Sequence, residues 1–475
     1  MIPLIGEPGE RGVHLLGVSG TAMASLAGLL VESGHTVTGS DENIYPPMSD
    51  LLEEIGVDVR TPYRADNIPP DCDLVIVGNA ISRGNPELEA VLERRVACAS
   101  MPEVLKELYL RARTPIVVSG THGKTTTSSI VAWLLESAGH DPGFLVGGIP
   151  LNFGVSYRSG SGDAFVVEGD EYDTAYFDKG PKFLHYLTQV AIIGNIEFDH
   201  ADIYRDVSEV ERAFRLFANL VPRNGLLVVG SGSELATTIA AAAPCAVATF
   251  ATAGDADWTA DVLSSDANGT RFRVLHHGET VTETEGPFWG DAALRNALAA
   301  IAATEPFGVT GDELAAALAS FRGVRRRFEV RGEEAGVVVV DDFAHHPTAI
   351  GETLRGARRR FQGQRIWGVF EPRSFTTRSS VFQKELAVAL AFADAVVVAG
   401  VLRTSRLPEE NELSEEKLVE DLRSSGTPAS FIPAPDDIVR YLLGKVRPGD
   451  VVMAMSNGGF GGLHEKLLKM LRALK

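Results

Sequence analysis

Short apolar runs of strand length alternate with stretches of helical period along the whole chain, and a glycine-rich or polar turn separates most of them. In a first block, Val13–Leu16 leads through Gly17-Val-Ser-Gly20 into a helical stretch ending near Ser33, with Gly34 as its stop. Thr36–Thr38 and Leu74–Val77 follow as strands. A second block opens with Pro115–Val118. Its first helix keeps Ile130, Val131, Leu134, Leu135 and Ala138 on one face and closes at Gly139. Ala164–Val167 and Val190–Ile193 read as further strands, and residues 292–303 as an alanine-rich helix. A third block carries Val337–Val340, Ile366–Phe370, Ala395–Val398 and Val451–Met455. Strand–turn–helix units in this order predict an α/β protein with parallel sheets. The breaks between blocks predict three domains, at 1–111, 112–324 and 325–475.

Composition narrows the functional classes. The 475 residues carry 63 acidic and 44 Lys+Arg side chains, a net charge of −19. That argues against a protein that coats nucleic acid, which needs clustered cations. It leaves room for a local cationic pocket. Cys72, Cys98 and Cys245 form neither a metal clip nor a redox pair, and read as reduced thiols. The sequence shows no signal peptide and no apolar run long enough to span a membrane. A cytoplasmic protein without membrane insertion is expected.

The strongest local signal is Gly120-Thr121-His122-Gly123-Lys124-Thr125-Thr126, set between a strand and a helix. Glycines there let backbone amides turn toward phosphate oxygens, and the helix N-terminus adds partial positive charge. Lys124 is placed to meet β- and γ-phosphates, and Thr125 to offer a hydroxyl to Mg²⁺. The position five residues before Gly123 is Val118, so the loop is a shortened variant. Glu168, directly after Ala164–Val167, and His200, after Val190–Ile193, belong to the same rim of a parallel sheet. They are candidate metal ligands with Thr125.

In the first block Gly17-x-x-Gly20 opens a helix, and Asp41 ends the next strand. The dinucleotide fingerprint is incomplete at Met23-Ala24. What it supports is a nucleotide or its diphosphate at a helix N-terminus. In the third block Asp341–Pro347, Glu371–Arg378 and Ser456–Gly462 all follow strands directly, three polar turns on one rim. Pro347 suits the first turn of a helix. The pair His345-His346 offers metal ligands without a visible third, so ligand contact or helix capping is the preferred reading. Arg325–Arg327 reads either as a solvated linker or as a phosphate clamp.

These residues together resemble the Mur ligases, three-domain ATP-dependent amino-acid and peptide ligases of peptidoglycan synthesis. The matching segments are Gly17–Asp41, Gly120–Thr126, Glu168–Asp173, Asn195–His200, Phe321–Phe328 and Asp341–Thr348. Longer stretches are similar to the branch of that family that recycles cell-wall peptides: Asp41–Met48, Gly78–Pro86, Glu168–Lys179, Phe370–Ser374 and Met455–Gly462. The resemblance implies a Rossmann-like UDP-binding domain, a central P-loop ATPase domain with a mostly parallel sheet, and a Rossmann-like third domain that binds the incoming peptide. It implies that UDP-N-acetylmuramate is joined to L-alanyl-γ-D-glutamyl-meso-diaminopimelate through an acyl phosphate, with ATP and Mg²⁺, by a monomer or weak homodimer.

Carried over residue by residue, Lys124, Glu168 and His200 would be catalytic, and Thr125, Glu168 and His200 would hold metal. Gly120–Thr126 with Asn296, Arg327, Asp342 and His345 would bind ATP. Gly17, Ser19, Gly20, Thr21, Ala22, Asp41 and Asn79 would bind the UDP part. Arg373, Arg378, Ser456, Asn457, Gly458 and Gly459 would bind peptide. Two departures stand out. The family's His-Asn pair before the adenine-side Asn is Ala292-Ala293 here. No lysine occurs from 183 to 383, so a carbamylated lysine near the metals is absent unless Lys179 or Lys182 reaches in. The competing readings are a UDP-N-acetylmuramate–L-alanine ligase and, in another class, a nucleotide-binding redox or sensor protein.

Overall fold

The computed structural model describes residues 10–44, 47–199, 203–401 and 412–474. Among the described residues three large sheets follow one another along the chain, with a two-stranded hairpin, Asp173–Ala175 and Asp178–Pro181, beside the second. The first is a five-stranded parallel sheet in the order Asp58–Arg60, Thr36–Ser40, Gly12–Leu16, Leu74–Val77, Cys98–Ser100. Its strand order reverses beside Gly12–Leu16, and crevices at such a switch point take ligands. The strand Leu74–Val77 is buried on both faces, which is why it reads as a continuous apolar run.

The second sheet has ten strands. Its parallel centre runs Ala246–Phe250, Leu226–Gly230, Val190–Ile193, Thr114–Ser119, Ala164–Gly169 and Gly143–Leu145. An antiparallel meander, Trp258–Ser265, Thr270–His276 and Glu279–Gly286, extends one edge. The third sheet has six strands. Val337–Asp342, Val451–Met455, Ile366–Phe370, Ala395–Val398 and Ala429–Phe431 are parallel, with Glu329–Glu334 antiparallel at the edge. The architecture is α/β, with mostly parallel sheets, as expected. In detail, Glu168, Asp341 and Asp342 lie inside their strands rather than after them. Main-chain pairing with the neighbouring strand carries on past the last apolar residue.

Contacts between the layers are tight. Gly28, in the helix Thr21–Glu32, lies under the ring of Tyr157, where a built Cβ would sit 2.0 Å from Cζ. Ser25 and Ser156 share a buried hydrogen bond of 2.7 Å beside it. Across the other junction the Trp289 ring stacks on Phe328, with centroids 5.8 Å apart, and the Arg360 guanidinium lies 4.0 Å from the Trp289 centroid. No helix among the described residues is long and apolar enough to cross a membrane.

Candidate active site

Register sets the rim. Ser119 pairs with both Ile193 and Gly169, so the turns after these strands emerge side by side. Gly120 and Gly123 take positive φ, 127° and 82°, and Gly123 caps the helix Lys124–Ser137. The Asn296 side chain presses against Gly123, where a Cβ would lie 2.4 Å from its Oδ1. Asn296 thus braces the loop. Thr121 donates its backbone N–H to the Asn195 carbonyl at 2.9 Å, and His122 its own to Asn195 Oδ1 at 3.1 Å. Lys124 Nζ donates to both Glu171 oxygens, at 3.0 and 2.9 Å, and to the Gly120 carbonyl at 2.9 Å. Burial alone pushes the ammonium pKa down; Glu171 and Asp170 outweigh it and hold the amine charged. Glu171 was not among the expected site residues. Its place three residues after Glu168, in the same polar turn, is the signal that could have found it.

Thr125 Oγ1 donates to Glu168 Oε2 at 3.3 Å, and Arg327 Nη2 donates to the same hydroxyl at 3.2 Å. Gly147 N donates to Glu168 Oε1 at 2.5 Å. Burial still raises the Glu168 pKa above the ordinary carboxylate value, and the Gly147 N–H, Arg327, Lys124 and Thr125 only partly offset it. A hydroxyl and an under-compensated carboxylate are hard oxygen donors that suit Mg²⁺. His200, the third expected ligand, lies outside the described residues.

A cleft of about 800 Å³ opens beside the loop, and residues of the third domain form one of its walls. Gly123, Lys124, Thr126, Asn296, Arg327 and Asp342 line it. Ala292 and Ala293 line its far end together with Phe288, Trp289 and Phe328, so aromatic rings stand near the place of the family's His-Asn pair. Asp342 is saturated by its own chain. It accepts from Phe328 N and Ala344 N, both at 2.7 Å. His345 Nδ1 donates to the Phe343 carbonyl at 2.9 Å. His346 caps the helix Pro347–Arg360, its Nδ1 accepting from Thr348 N at 3.3 Å. The sequence showed no third metal-type ligand for the pair. The fold separates the two: His346, without His345, joins His122 and Glu197, whose ligand-type atoms lie within 4.8 Å of one another.

The arginine run divides its labour. Arg325 is exposed, while Arg326 donates to Asp341 Oδ2 at 3.2 Å and to the carbonyls of Ser456 and Gly458 at 2.8 and 2.5 Å. Arg326 therefore binds protein, and only Arg327 faces the cleft. The three polar turns of the third sheet share one rim, since Met455 pairs with both Asp342 and Phe370. Ser456 Oγ donates to Glu371 and accepts from Gly458 N at 2.9 Å. Arg373 lies across Gly458, where a Cβ would be 2.3 Å from its Nη1. Asn457 is half-buried and Gly459 exposed. The Arg378 carbonyl accepts from Leu413 N at 2.7 Å.

In the first sheet Gly17, with φ 78°, donates its N–H to the Ser40 carbonyl at 2.8 Å, and Gly20 starts the helix at Thr21 and Ala22. Asp41 accepts from the backbone of Ser19, Glu42 and Asn43, at 3.0, 2.8 and 3.2 Å. Asn79 is exposed across the crevice. Beneath this floor lies a polar network with no local sequence signature. Glu87, fully buried, accepts from Ser40 Oγ at 2.5 Å, Asn67 Nδ2 at 2.6 Å and Arg64 N at 3.0 Å, and meets His14 Nε2 at 3.2 Å. Lys179 and Lys182 are each committed to a carboxylate, Asp173 and Asp170, both at 2.6 Å.

A glycine-rich loop at a helix N-terminus, a threonine hydroxyl beside a buried carboxylate, and a cleft shared with the third domain form the arrangement of a nucleotide-using enzyme. Family models agree with this: the Mur ligase family catalytic domain matches residues 12–113, the Mur ligase middle domain 118–304, and the Mur ligase glutamate ligase domain 326–458. The chain belongs to the Mur ligase family, ATP-dependent enzymes that form amide bonds. It is 42% identical to the UDP-N-acetylmuramate–L-alanyl-γ-D-glutamyl-meso-2,6-diaminoheptanedioate ligase of Escherichia coli, over 96% of this chain and 97% of that one. It is 34% identical to the UDP-N-acetylmuramate–L-alanine ligase of Acetivibrio thermocellus, over 97% and 96%. Among solved structures, a murein peptide ligase from Psychrobacter arcticus superposes with a TM-score of 0.73 at 35% identity, covering 97% of this chain and 99% of that one.

Proposed function

We propose that this protein joins the carboxylate of UDP-N-acetylmuramate to the amine of L-alanyl-γ-D-glutamyl-meso-diaminopimelate, in peptidoglycan recycling in the cytoplasm. The observation that carries the reading is the near-full-length similarity to the tripeptide ligase, 42% against 34% for the L-alanine ligase. The reaction runs in two steps. A muramate carboxylate oxygen attacks the γ-phosphorus and ADP leaves. The peptide amine then attacks the acyl carbon, and phosphate leaves with one former carboxylate oxygen. Such phosphoryl transfer needs positioning and charge neutralisation more than a protein nucleophile. Lys124 neutralises charge on the β- and γ-phosphates, and the loop Gly120–Thr126 orients them. Thr125 and Glu168, with His200, would hold Mg²⁺, which supplies further neutralisation of the phosphates when bound. Arg327 closes the cleft over Thr125.

The division at 1–111, 112–324 and 325–475 assigns UDP binding, ATP binding and peptide binding to one sheet each. Gly17–Ala22, Asp41 and Asn79 line the UDP crevice. Arg373 and Arg378, with Ser456–Gly459, take the peptide end, where guanidinium–carboxylate pairing fits a tripeptide with several carboxylates. Arg373→Ala is expected to raise the tripeptide KM at least about tenfold, a loss of one charged contact, and to leave the UDP-N-acetylmuramate KM unchanged in steady-state assays. The reading itself is tested by phosphate release with ATP, Mg²⁺ and UDP-N-acetylmuramate, adding either tripeptide or L-alanine. Release with tripeptide supports it, and release with L-alanine alone overturns the acceptor.

The buried histidines set an acid limit. Burial lowers the His346 pKa from 6.5 to about 4, and does the same at His345. Between these values the unfolded chain binds more protons than the folded one, so stability falls as pH drops from 6.5 toward 4. At about 1.4 kcal/mol per pKa unit, His346 alone accounts for roughly 3 kcal/mol. Urea titrations at pH 7 and pH 5 should show the decline, and His346→Asn, which keeps a capping side chain, should remove about half of it, His345 carrying the rest.

A further inference from the structure

The segment Asn195–Asp199 touches two domains at once. On one side it holds the phosphate loop. Besides the Asn195 bonds, Glu197 N donates to Thr121 Oγ1 at 2.9 Å, and His122 Nε2 lies 3.2 Å from Glu197 Oε2. On the other side it holds the third domain. Thr348 Oγ1 donates to the same Glu197 oxygen at 2.7 Å, His346 Nδ1 is 3.7 Å from it, and Thr376 Oγ1 donates to Asp199 Oδ1 at 2.6 Å. The His122 and His346 rings approach to 4.6 Å between centroids. Thr348 opens the helix Pro347–Arg360, which also carries Glu352, paired with Arg295 of the central domain, and Gly356, packed on Gly290. One carboxylate oxygen therefore joins the residue next to Gly123 to the helix that docks the third domain.

We propose that Glu197 is a positioning residue that couples the set of the phosphate loop to docking of the third domain, so that the acceptor site is completed only over a loaded loop. Nothing in the phosphoryl-transfer chemistry requires Glu197 to touch substrate. Its carboxylate is matched to two partners whose distance depends on how the domains sit. Burial raises its pKa, but His122 and Thr348 outweigh this and bring it to about 2, so the acceptor is charged at neutral pH. The inference rests on the ligase reading for its kinetic arm only.

The test uses the full chain, AMP-PNP with Mg²⁺, and the variants Thr348→Val, Thr348→Ser and Glu197→Ala. In small-angle scattering the wild type should compact on adding AMP-PNP. Thr348→Val, which leaves every bond between Glu197 and the loop intact, should bind AMP-PNP within twofold of wild type and lose at least half of the compaction. It should also raise the acceptor KM at least fivefold. Thr348→Ser should restore both. The Thr348→Val/Glu197→Ala double variant should be no worse in acceptor KM than Glu197→Ala. Wild-type-like compaction in Thr348→Val, multiplicative losses in the double variant, or no compaction in the wild type would each overturn the proposal. A wild type that compacts without turning over the substrates would instead remove the ligase reading.

Discussion

Lys124→Ala loses ATP-dependent turnover by at least about 10²–10³-fold, the scale found when one preorganised charge or donor is removed from a transition state. The same change lowers stability, because Glu171, 3% exposed, loses the ammonium that meets both its oxygens. Removing one member of a buried pair costs about 3–5 kcal/mol. Lys124 stands at the edge of the cleft, so the loss here falls below that range. Lys124→Ala/Glu171→Gln should recover most of the stability and none of the turnover. Thermal melts and phosphate-release rates on the two variants separate the lysine's two jobs. Turnover returning with stability would mean that Lys124 serves only the fold.

Glu168→Gln makes the second large change, and here stability and activity move in opposite directions. Burial raises the pKa of this carboxylate, and its neighbours only partly offset that cost. An acid whose folded pKa is raised weakens the fold as pH rises through its ordinary value, so removing the charge should raise the melting temperature of the ligand-free protein at pH 7. Turnover should fall by about 10²–10³-fold, because the hard oxygen beside Thr125 is weakened as a cation ligand. The stabilisation conferred by AMP-PNP with Mg²⁺ should shrink at the same time. A variant that melts lower and keeps its rate would show that Glu168 is a structural carboxylate. Function stored as an unfavourably buried carboxylate is a common trade in active sites.

Much of this was readable before any coordinates, for a physical reason. Gly120–Thr126 is a local device: its glycines, lysine and hydroxyl act within one turn, and their spacing states their purpose. Glu168 stands out in the sequence because the end of a parallel strand is a fixed place, even though the strand runs one residue past it. The strands Leu74–Val77, Val190–Ile193 and Val451–Met455 carry solid apolar runs because both their faces are covered. The meander Trp258–Gly286 left no such trace. Its last strand, Glu279–Gly286, alternates threonine and glutamate, and both it and Trp258–Ser265 are exposed over much of their length.

The parts of the site that escaped the sequence are those made by distance along the chain. Glu171 is assigned by Lys124, 47 positions away, and Glu197 by Thr348, 151 positions away. Arg326 looked equivalent to Arg327, yet positive φ at Arg326, 58°, turns it toward Asp341 and the Ser456 carbonyl while Arg327 enters the cleft. Glu87 sits in a helix as an ordinary acid would, and only the approach of Ser40, Asn67 and His14 makes it the buried anchor under the first crevice.

The most direct single measurement labels both carboxylate oxygens of UDP-N-acetylmuramate with ¹⁸O and follows one turnover with ATP, Mg²⁺ and the tripeptide by mass spectrometry. The account predicts a UDP-muramoyl-tripeptide that retains one ¹⁸O and inorganic phosphate that carries the other. Unlabelled phosphate, or labelled phosphate with no peptide product, would contradict it.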